Sequence, residues 1–244
     1  MKAGRAVMIV QARMSSLRLP GKSMMPLAGR PLVERLLERA KRCTELDALV
    51  LAIPDGAADE VLAQVAKDCG VKCFRGSESD LVDRYYRAAL HYNAAIIVRL
   101  PADNPVIEPT EVDRLIRFHR GNDFVFSTNL SPFFGSGYPD GIGAEAIDFW
   151  AFEEIWRRPG DAQKREHPHL NFIDPLSETP VDPMRYPVGS PRCPPEFARP
   201  DLVLDVNTPE QYEYMAALYD ALYPGNPKFG ISDIISWHDT RQAQ

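Results

Sequence analysis

The chain has 244 residues, 45% of them hydrophobic and 25% charged, which is typical of one globular domain or of a domain with a subdomain. Its formal net charge of −6 argues against nucleic acid as a partner. No apolar run approaches the roughly 20 residues needed to span a bilayer. Gln11 and Arg13 interrupt the first apolar run too early for a signal peptide. We therefore expect a cytoplasmic protein with no membrane contact.

Short apolar runs alternate with helical patterns through the first half of the chain. Strands are predicted over residues 7–10, 48–53, 71–74, 94–100 and 123–127, and helices over residues 58–68, 80–92 and 109–119. A further helix begins near Pro31, and its spacing puts Arg35, Arg39 and Arg42 on the outer face. This alternation predicts an α/β fold with a mostly parallel, Rossmann-like sheet flanked by helices.

The sequence changes character near residue 131, where prolines begin to break the chain into short pieces. Residues 131–200 nevertheless keep Phe149, Trp150, Phe152 and Trp156, which need a core to bury them. We interpret this region as a sugar-binding or lid subdomain inserted in a nucleotide-binding core of residues 1–130 and 201–244. The core resumes with a strand over residues 202–204 and a helix that begins at Pro209 after a capping box.

The loop after the first strand carries three cations, Arg13, Arg18 and Lys22, together with Ser15 and a glycine at position 21. In open α/β sheets, ligands bind beyond the carboxyl ends of the strands. Cations and hydroxyls beside a glycine suit a polyphosphate there. The alternative is a solvated basic loop.

Two acidic residues, Asp103 and Asp205, each follow an apolar strand directly. Both can reach the same edge of the sheet, where two carboxylates would suit Mg²⁺. The alternative makes one of them a helix N-cap and the other a turn residue. Residues 75–84 form a polar loop that runs into a helix, and Ser79 and Asp80 there are also ordinary N-cap residues.

The segment from Gln11 to Lys22 resembles the N-terminal signature of the bacterial cytidylyltransferases that activate acidic sugars such as KDO. It is most similar to the branch known as spore coat polysaccharide biosynthesis protein F. The resemblance implies a nucleotidyl transfer in which an anionic oxygen of the sugar attacks the α-phosphorus of CTP and pyrophosphate leaves. It also implies a role in surface polysaccharide synthesis, and family members are commonly dimers, so a homodimer is possible.

The resemblance also implies roles for single residues. It makes Arg13 and Lys22 catalytic and gives Mg²⁺ to Asp103 and Asp205. The acidic sugar is expected at the segments that contain Tyr138, Asp140, Glu145 and His167. The nucleotide is expected to contact a larger set of residues, namely Gln11, Ala12, Arg13, Ser15, Arg18, Lys22, Arg75, Ser79, Asp80, Arg84, Pro101 and Ala102.

The sequence departs from the family pattern at three places. Asn104 replaces a cysteine common in the closest branch, Gly143 stands where that branch usually has an acidic residue, and a proline follows His167. The last two departures bear on the sugar pocket. The Asn104 departure leaves the metal assignment unchanged.

Other functions fit parts of the pattern. A nucleotide-sugar-dependent glycosyltransferase of GT-A type would use the same sheet and a metal carboxylate, although it needs the cationic loop less. A P-loop NTPase is suggested by Gly21-Lys22-Ser23, but Ser16 stands where the motif needs glycine. A nucleotide-binding module without catalysis is the third alternative.

Overall fold

The computed structural model describes residues 2–16, 18–158 and 160–243, so Leu17 of the opening motif and Pro159 of the proline-rich region lie outside the described residues. The strands are β1 (Ala6–Gln11), β2 (Pro26–Leu27), β3 (Arg30–Pro31), β4 (Ala48–Pro54), β5 (Lys72–Gly76), β6 (Ile96–Pro101), β7 (Phe126–Thr128), β8 (Glu145–Asp148), β9 (Ile173–Asp174), β10 (Thr179–Pro180) and β11 (Val188–Gly189). The helices are α1 (Leu32–Ala40), α2 (Glu60–Asp68), α3 (Leu81–His91), α4 (Pro109–Gly121), α5 (Phe149–Arg157), α6 (Ala162–Glu166), α7 (Pro209–Leu222) and α8 (Ile231–Gln242).

Seven strands form one central sheet in the order β11-β7-β8-β6-β1-β4-β5. Pairs among β1, β4, β5 and β6 are parallel, as is β7 with β11, whereas β8 runs antiparallel to both of its neighbours. The predicted mostly parallel sheet flanked by helices is therefore confirmed.

Alternating side chains of the strands enter two apolar layers, one on each face of the sheet, because successive residues of a strand point to opposite faces. Met8 and Val10 of β1 pack in one cluster with residues of α1, α2 and α4. Val7 and Ile9 pack in the other with residues of α3 and α5. A third cluster joins α7 and α8 to the start of α1 through Leu32, which brings the C-terminal helices against the opening loop.

The prediction that Arg35 and Arg39 lie on the outer face of the first helix is wrong. Arg35 donates to the carbonyl of Leu27 at 3.0 Å, and its guanidinium lies 3.7 Å from the ring centre of Tyr223. Arg39 donates to the carbonyls of Ile107 and Phe229 at 2.7 and 2.9 Å. Carbonyls and aromatic faces thus replace water around both cations, and this is why they can be buried.

Residues 131–200 supply β8 and β11 to the central sheet, so this region contacts the core through backbone pairing as well as through side chains. Its role as a separate lid or sugar-binding unit stays a prediction. The predicted strand over residues 202–204 is reduced to one bridge between Val203 and Asp140. The capping box at Thr208 is present and starts α7, while α8 was not predicted. Among the described residues, no helix has both the length and the apolar character needed to cross a membrane.

Candidate active site

A cavity of about 700 Å³ opens where β1 and β6 end side by side. Gln11 and Pro101, the last residues of these two parallel strands, are paired in register, so the loops that follow both strands meet at this edge. These loops line the cavity together with residues of three other segments. The predicted site residues that line it are Gln11, Ala12, Arg13, Arg18, Lys22, Ser79, Arg84, Pro101, Ala102, Asp103 and His167.

The opening loop folds back on itself before it enters a short 3₁₀ turn at Lys22. Gly21 has a φ of 72°, a left-handed conformation that glycine adopts at little cost, and its N–H donates to the carbonyl of Met14 at 3.1 Å. The N–H of Met14 in turn donates to the buried carboxylate of Asp59 at 2.8 Å. These contacts fix both ends of the loop segment between Arg13 and Lys22.

Lys22 is surrounded by oxygen atoms at the floor of the cavity. Its Nζ lies 3.1 Å from Oδ2 of Asp103, 2.8 Å from the carbonyl oxygen of Val206 and 3.0 Å from Oδ1 of Asn207. Arg18 donates to the same Asn207 oxygen at 2.7 Å. Asn207 therefore connects two cations of the opening loop, although sequence reasoning did not single it out.

Asp205 is not among the residues that line the cavity. Its carboxylate accepts hydrogen bonds from the side-chain amides of Asn207 and Gln211. Burial, together with the nearby charges of Asp140 and Asp103, raises the pKa of Asp205 to about 6. Its role as a metal ligand stays a prediction, and within the described residues no group of three or more His, Cys, Asp or Glu side chains could hold a metal ion.

Two buried arginines reach the cavity wall with unpartnered donors. Arg84 is 2% exposed, and its Nε and Nη1 have no hydrogen-bond partner among the residues that the structure describes. Burial, with the charge of Arg13 as a smaller cause, lowers the pKa of Arg84. Arg99 is 4% exposed and pairs with Glu145 at 2.6 Å, while its Nε also finds no partner within the described part of the chain. Buried donors without a partner indicate a place for a ligand that accepts hydrogen bonds.

Two acidic side chains from later segments contact residues of the opening loop at the rim of the cavity. Glu166, at the end of α6, pairs with Arg13 at 3.0 Å. Glu78 accepts a hydrogen bond from the Ser15 hydroxyl at 2.8 Å, which accounts for Ser15 although it is not a lining residue. Both contacts occupy groups that were predicted to bind the nucleotide.

A second link to α6 runs through Asp80. Its carboxylate caps α3 by accepting from the N–H of Asp83, and it also accepts from Nε of Arg165 at 2.9 Å. The N-cap alternative is therefore correct for this residue in structural terms, while its predicted nucleotide contact stays untested.

Besides Ser15, Asp80 and Asp205, four more predicted site residues lie outside the cavity lining. Arg75 pairs with Glu60 at 2.6 Å. Tyr138 is fully buried, and its hydroxyl donates to Glu111. Asp140 accepts from the Ser131 hydroxyl at 2.7 Å. Glu145 pairs with Arg99, which itself lines the cavity.

Steric crowding explains why glycine stands at position 143. A Cβ there would lie 2.1 Å from the carbonyl oxygen of Asn129, and this approach excludes any side chain unless the backbone moves. An acidic residue therefore cannot stand at this position in this chain. The departure from the branch pattern is built into the packing next to β8.

A family model described as Cytidylyltransferase matches residues 7–169, a span that includes both strands ending at the cavity. The chain belongs to the cytidylyltransferase family. It is thus a nucleotidyltransferase enzyme, and the resemblance seen in the opening segment is confirmed. Spore coat polysaccharide biosynthesis protein SpsF of Bacillus subtilis is 31% identical over 86% of this chain and 85% of that protein.

Other relatives in the family align over less of their length. The 3-deoxy-manno-octulosonate cytidylyltransferase of Zea mays is 34% identical over 52% of this chain, and the chain spans 43% of that enzyme. The chain spans 63% of a relative from Methanocaldococcus jannaschii that is 32% identical.

Solved structures of cytidylyltransferases share the fold. One from Leptospira borgpetersenii superposes with a TM-score of 0.85 at 27% identity and covers 98% of this chain and 95% of that chain. A CMP:2-keto-3-deoxy-manno-octonic acid synthetase complexed with CTP superposes with a TM-score of 0.61 at 18% identity, over 89% of this chain and 99% of that chain.

Proposed function

We propose that this enzyme transfers CMP from CTP to an acidic sugar of the KDO or nonulosonate class and releases pyrophosphate, for surface polysaccharide synthesis. The observation that carries the proposal is the meeting of Arg13, Arg18 and Lys22 with Asp103 in one cavity at the ends of β1 and β6. A triphosphate needs concentrated positive charge, and its α-phosphorus needs an aligned acceptor.

The names of the relatives support the choice of substrates. The maize relative is a 3-deoxy-manno-octulosonate cytidylyltransferase, and a structural neighbour was solved with CTP. The buried arginines Arg84 and Arg99 add donors that an acidic ligand would satisfy. The predicted contacts of Gln11, Ala12, Pro101 and Ala102 with the nucleotide are compatible with their positions in the cavity lining.

The oxygen atoms near Lys22 fit a divalent cation. The Asp103 carboxylate, the Val206 carbonyl and the Asn207 amide oxygen already surround one positive charge, and oxygen donors are what Mg²⁺ prefers. Asp103 would hold Mg²⁺, with Asp205 close behind through Asn207. When bound, the ion would neutralise charge on the phosphates and on the departing pyrophosphate.

The protein's own part in the reaction is alignment and charge. Arg13 offers a planar fork that can clamp two phosphate oxygens, whereas Lys22 offers a compact charge on a flexible stem. Both would stabilise the charge that builds on the leaving pyrophosphate. Arg18 would bind the phosphates or the pyrophosphate beside them.

Residues 131–200 would act as the sugar-binding lid. Two contacts from α6, Glu166 with Arg13 and Arg165 with Asp80, hold this region against the cavity rim. Of the predicted sugar contacts in the described residues, His167 is the one that lines the cavity. A homodimer and a cytoplasmic location stay predictions.

A nucleotide and sugar screen with pyrophosphate detection tests the proposed function. Pyrophosphate is expected only when CTP, Mg²⁺ and an acidic sugar are all present. Thermal-shift titration should show CTP stabilising the protein by about 2.7 kcal/mol at a hundredfold excess over Kd. Stabilisation by ATP or GTP without any by CTP would refute the nucleotide assignment. Transfer of sugar from a nucleotide-sugar, without pyrophosphate, would favour a glycosyltransferase.

A further inference from the structure

The ammonium group of Lys22 sits in a set of oxygen atoms that resembles a cation site. One carboxylate oxygen, one main-chain carbonyl and one side-chain amide oxygen lie within 2.8–3.1 Å of Nζ. The side chain is only 13% exposed, so water takes little part in solvating the charge. The chain holds the set rigidly, because the N–H of Val206 donates to the carbonyl of Asp103 at 2.8 Å.

Asn207 directs its side-chain oxygen to the ammonium group of Lys22, whereas Asp205 accepts a hydrogen bond from the side-chain nitrogen of Asn207. The side-chain amide of Asn207 directs Oδ1 to Lys22 and Arg18 and its nitrogen to Asp205. Two further bonds fix the residue, because Oε1 of Gln211 accepts from the N–H of Asn207 at 2.8 Å and from that of Thr208 at 3.0 Å. The orientation follows from its neighbours, since cations face the oxygen and a carboxylate faces the nitrogen.

A divalent cation and the Lys22 ammonium cannot share these oxygens. Two positive charges at such a separation repel strongly, and each oxygen that binds the ammonium is withdrawn from the metal. A single carboxylate, Asp103, also supplies less negative charge than a metal site built from two carboxylates. The nucleotide-free site is therefore already neutralised.

We propose that Lys22 occupies the divalent-cation position in the nucleotide-free enzyme and leaves it when phosphates arrive, so that the metal enters with the nucleotide. The inference rests on the proposed function, because it takes a triphosphate as the group that draws Lys22 away. A triphosphate carries several negative charges, so it attracts the Lys22 ammonium more strongly than one carboxylate and two neutral oxygens do. Free enzyme should accordingly bind divalent metal weakly.

The test measures the affinity of the nucleotide-free protein for Mn²⁺. The protein is titrated with Mn²⁺, and electron paramagnetic resonance reports the concentration of the free ion. Lys22→Met removes the charge and keeps most of the length of the side chain. We expect this variant to bind Mn²⁺ at least about tenfold more tightly than the wild type, because a neighbouring positive charge has been removed. Lys67→Met, which removes the same charge from the exposed side of α2, is the matched control and should bind Mn²⁺ as the wild type does.

A second substitution tests whether the tighter Mn²⁺ binding of Lys22→Met uses the carboxylate of Asp103. Asp103→Asn in the Lys22→Met background should abolish the tighter binding. Lys22→Gln, which keeps a donor for Asp103, replaces Lys22→Met if thermal unfolding shows that the latter does not fold. Equal Mn²⁺ affinity in the Lys22 and Lys67 variants would overturn the inference, as would a gain that survives Asp103→Asn.

The titration is independent of the proposed function. If the wild type releases pyrophosphate from CTP but the Lys22 variants bind Mn²⁺ no more tightly, the inference is refuted and the proposed function stands. If the wild type shows no CTP-dependent turnover but the variants bind Mn²⁺ as expected, the proposed function is refuted. The proposal that Lys22 occupies the cation position would then still be supported.

Discussion

The guanidinium of Arg13 lies 3.0 Å from the carboxylate of Glu166, which follows it by 153 residues. Arg13 is predicted to bind phosphate, and in the structure it is already paired with Glu166 of α6. Both side chains are substantially exposed, at 36% and 48%, so water screens the pair and it contributes at most about 1 kcal/mol.

Glu166→Gln should therefore tighten CTP binding modestly, by up to about fivefold, because Arg13 no longer has to break an ion pair. Isothermal titration with CTP would measure it. Glu153→Gln removes a comparable surface pair, with Arg157, away from the cavity and should leave the affinity unchanged. Weaker binding in Glu166→Gln would mean that Glu166 supports the nucleotide site.

Asp103→Asn should remove metal-dependent turnover and leave the fold intact. The substitution keeps the shape of the side chain while it removes the charge that pairs with Lys22 and that would hold a cation in its place. Turnover measured against Mg²⁺ concentration, with circular dichroism as the check on folding, would test this. We expect the same direction for Asp205→Asn, and full activity at limiting Mg²⁺ in either variant would contradict that residue's assignment.

Lys22→Ala should lower kcat more than it raises KM for CTP, because its charge acts mainly where the pyrophosphate departs. The loss of one well-placed electrostatic donor typically costs on the order of 10²–10³ in rate. Arg13→Lys should also be damaging, since an ammonium cannot clamp two oxygens. Steady-state kinetics would separate the effects. A wild-type kcat with a raised KM would mean that these residues only gather the nucleotide.

Arg84→Met should stabilise the free protein and weaken CTP binding at the same time. The buried guanidinium has two unpartnered donors, and replacing such a group by an apolar side chain of similar length removes a cost of about 1–3 kcal/mol. Thermal unfolding and CTP titration would be measured together. Arg87→Met, on the exposed side of α3 and paired there with Asp83, is the control that should change neither quantity much. A less stable Arg84→Met protein with unchanged CTP affinity would make Arg84 structural.

His169 should make protein stability fall as the pH drops from about 6.5 toward 4, whereas the raised pKa of Asp205 acts in the opposite direction. Burial, reinforced by Arg99 and His167, lowers the pKa of His169 to about 4 against an ordinary value of 6.5. Between these values the unfolded chain binds the proton more readily, so the contribution of His169 is complete above pH 6.5 and is lost as the pH falls. The lowered pKa of buried His119 acts in the same direction.

Urea unfolding at several pH values would measure this dependence. His169→Gln should reduce the loss of stability between pH 6.5 and 4, whereas His91→Gln, at an exposed position, should leave the slope unchanged. Equal slopes in His169→Gln and the wild type would show that His169 titrates normally.

Periodicity and strand endings predicted the sheet and the edge at which the cavity lies, because these depend on local patterns. They could not predict Arg39, whose acceptors are carbonyls of residues 107 and 229. Tyr138 belongs to a segment that resembles a sugar-binding motif, yet its hydroxyl is buried against Glu111. Asn207 lies two residues after the predicted metal ligand Asp205, but its role depends on Lys22 and Arg18, which are more than 180 residues away.

The distance in sequence between Lys22 and its partners also sets the order in which the site forms during synthesis. The carbonyl that binds Lys22 belongs to a residue 184 positions later. At about 5–20 residues per second, a ribosome needs roughly 10–40 s to supply it. Asp103, which supplies the carboxylate of the set, is made 81 positions after Lys22, so this ion pair can form well before the set is complete. The neutral oxygens of Val206 and Asn207 are made only near the end of synthesis, so the full set of oxygens around Lys22 forms late.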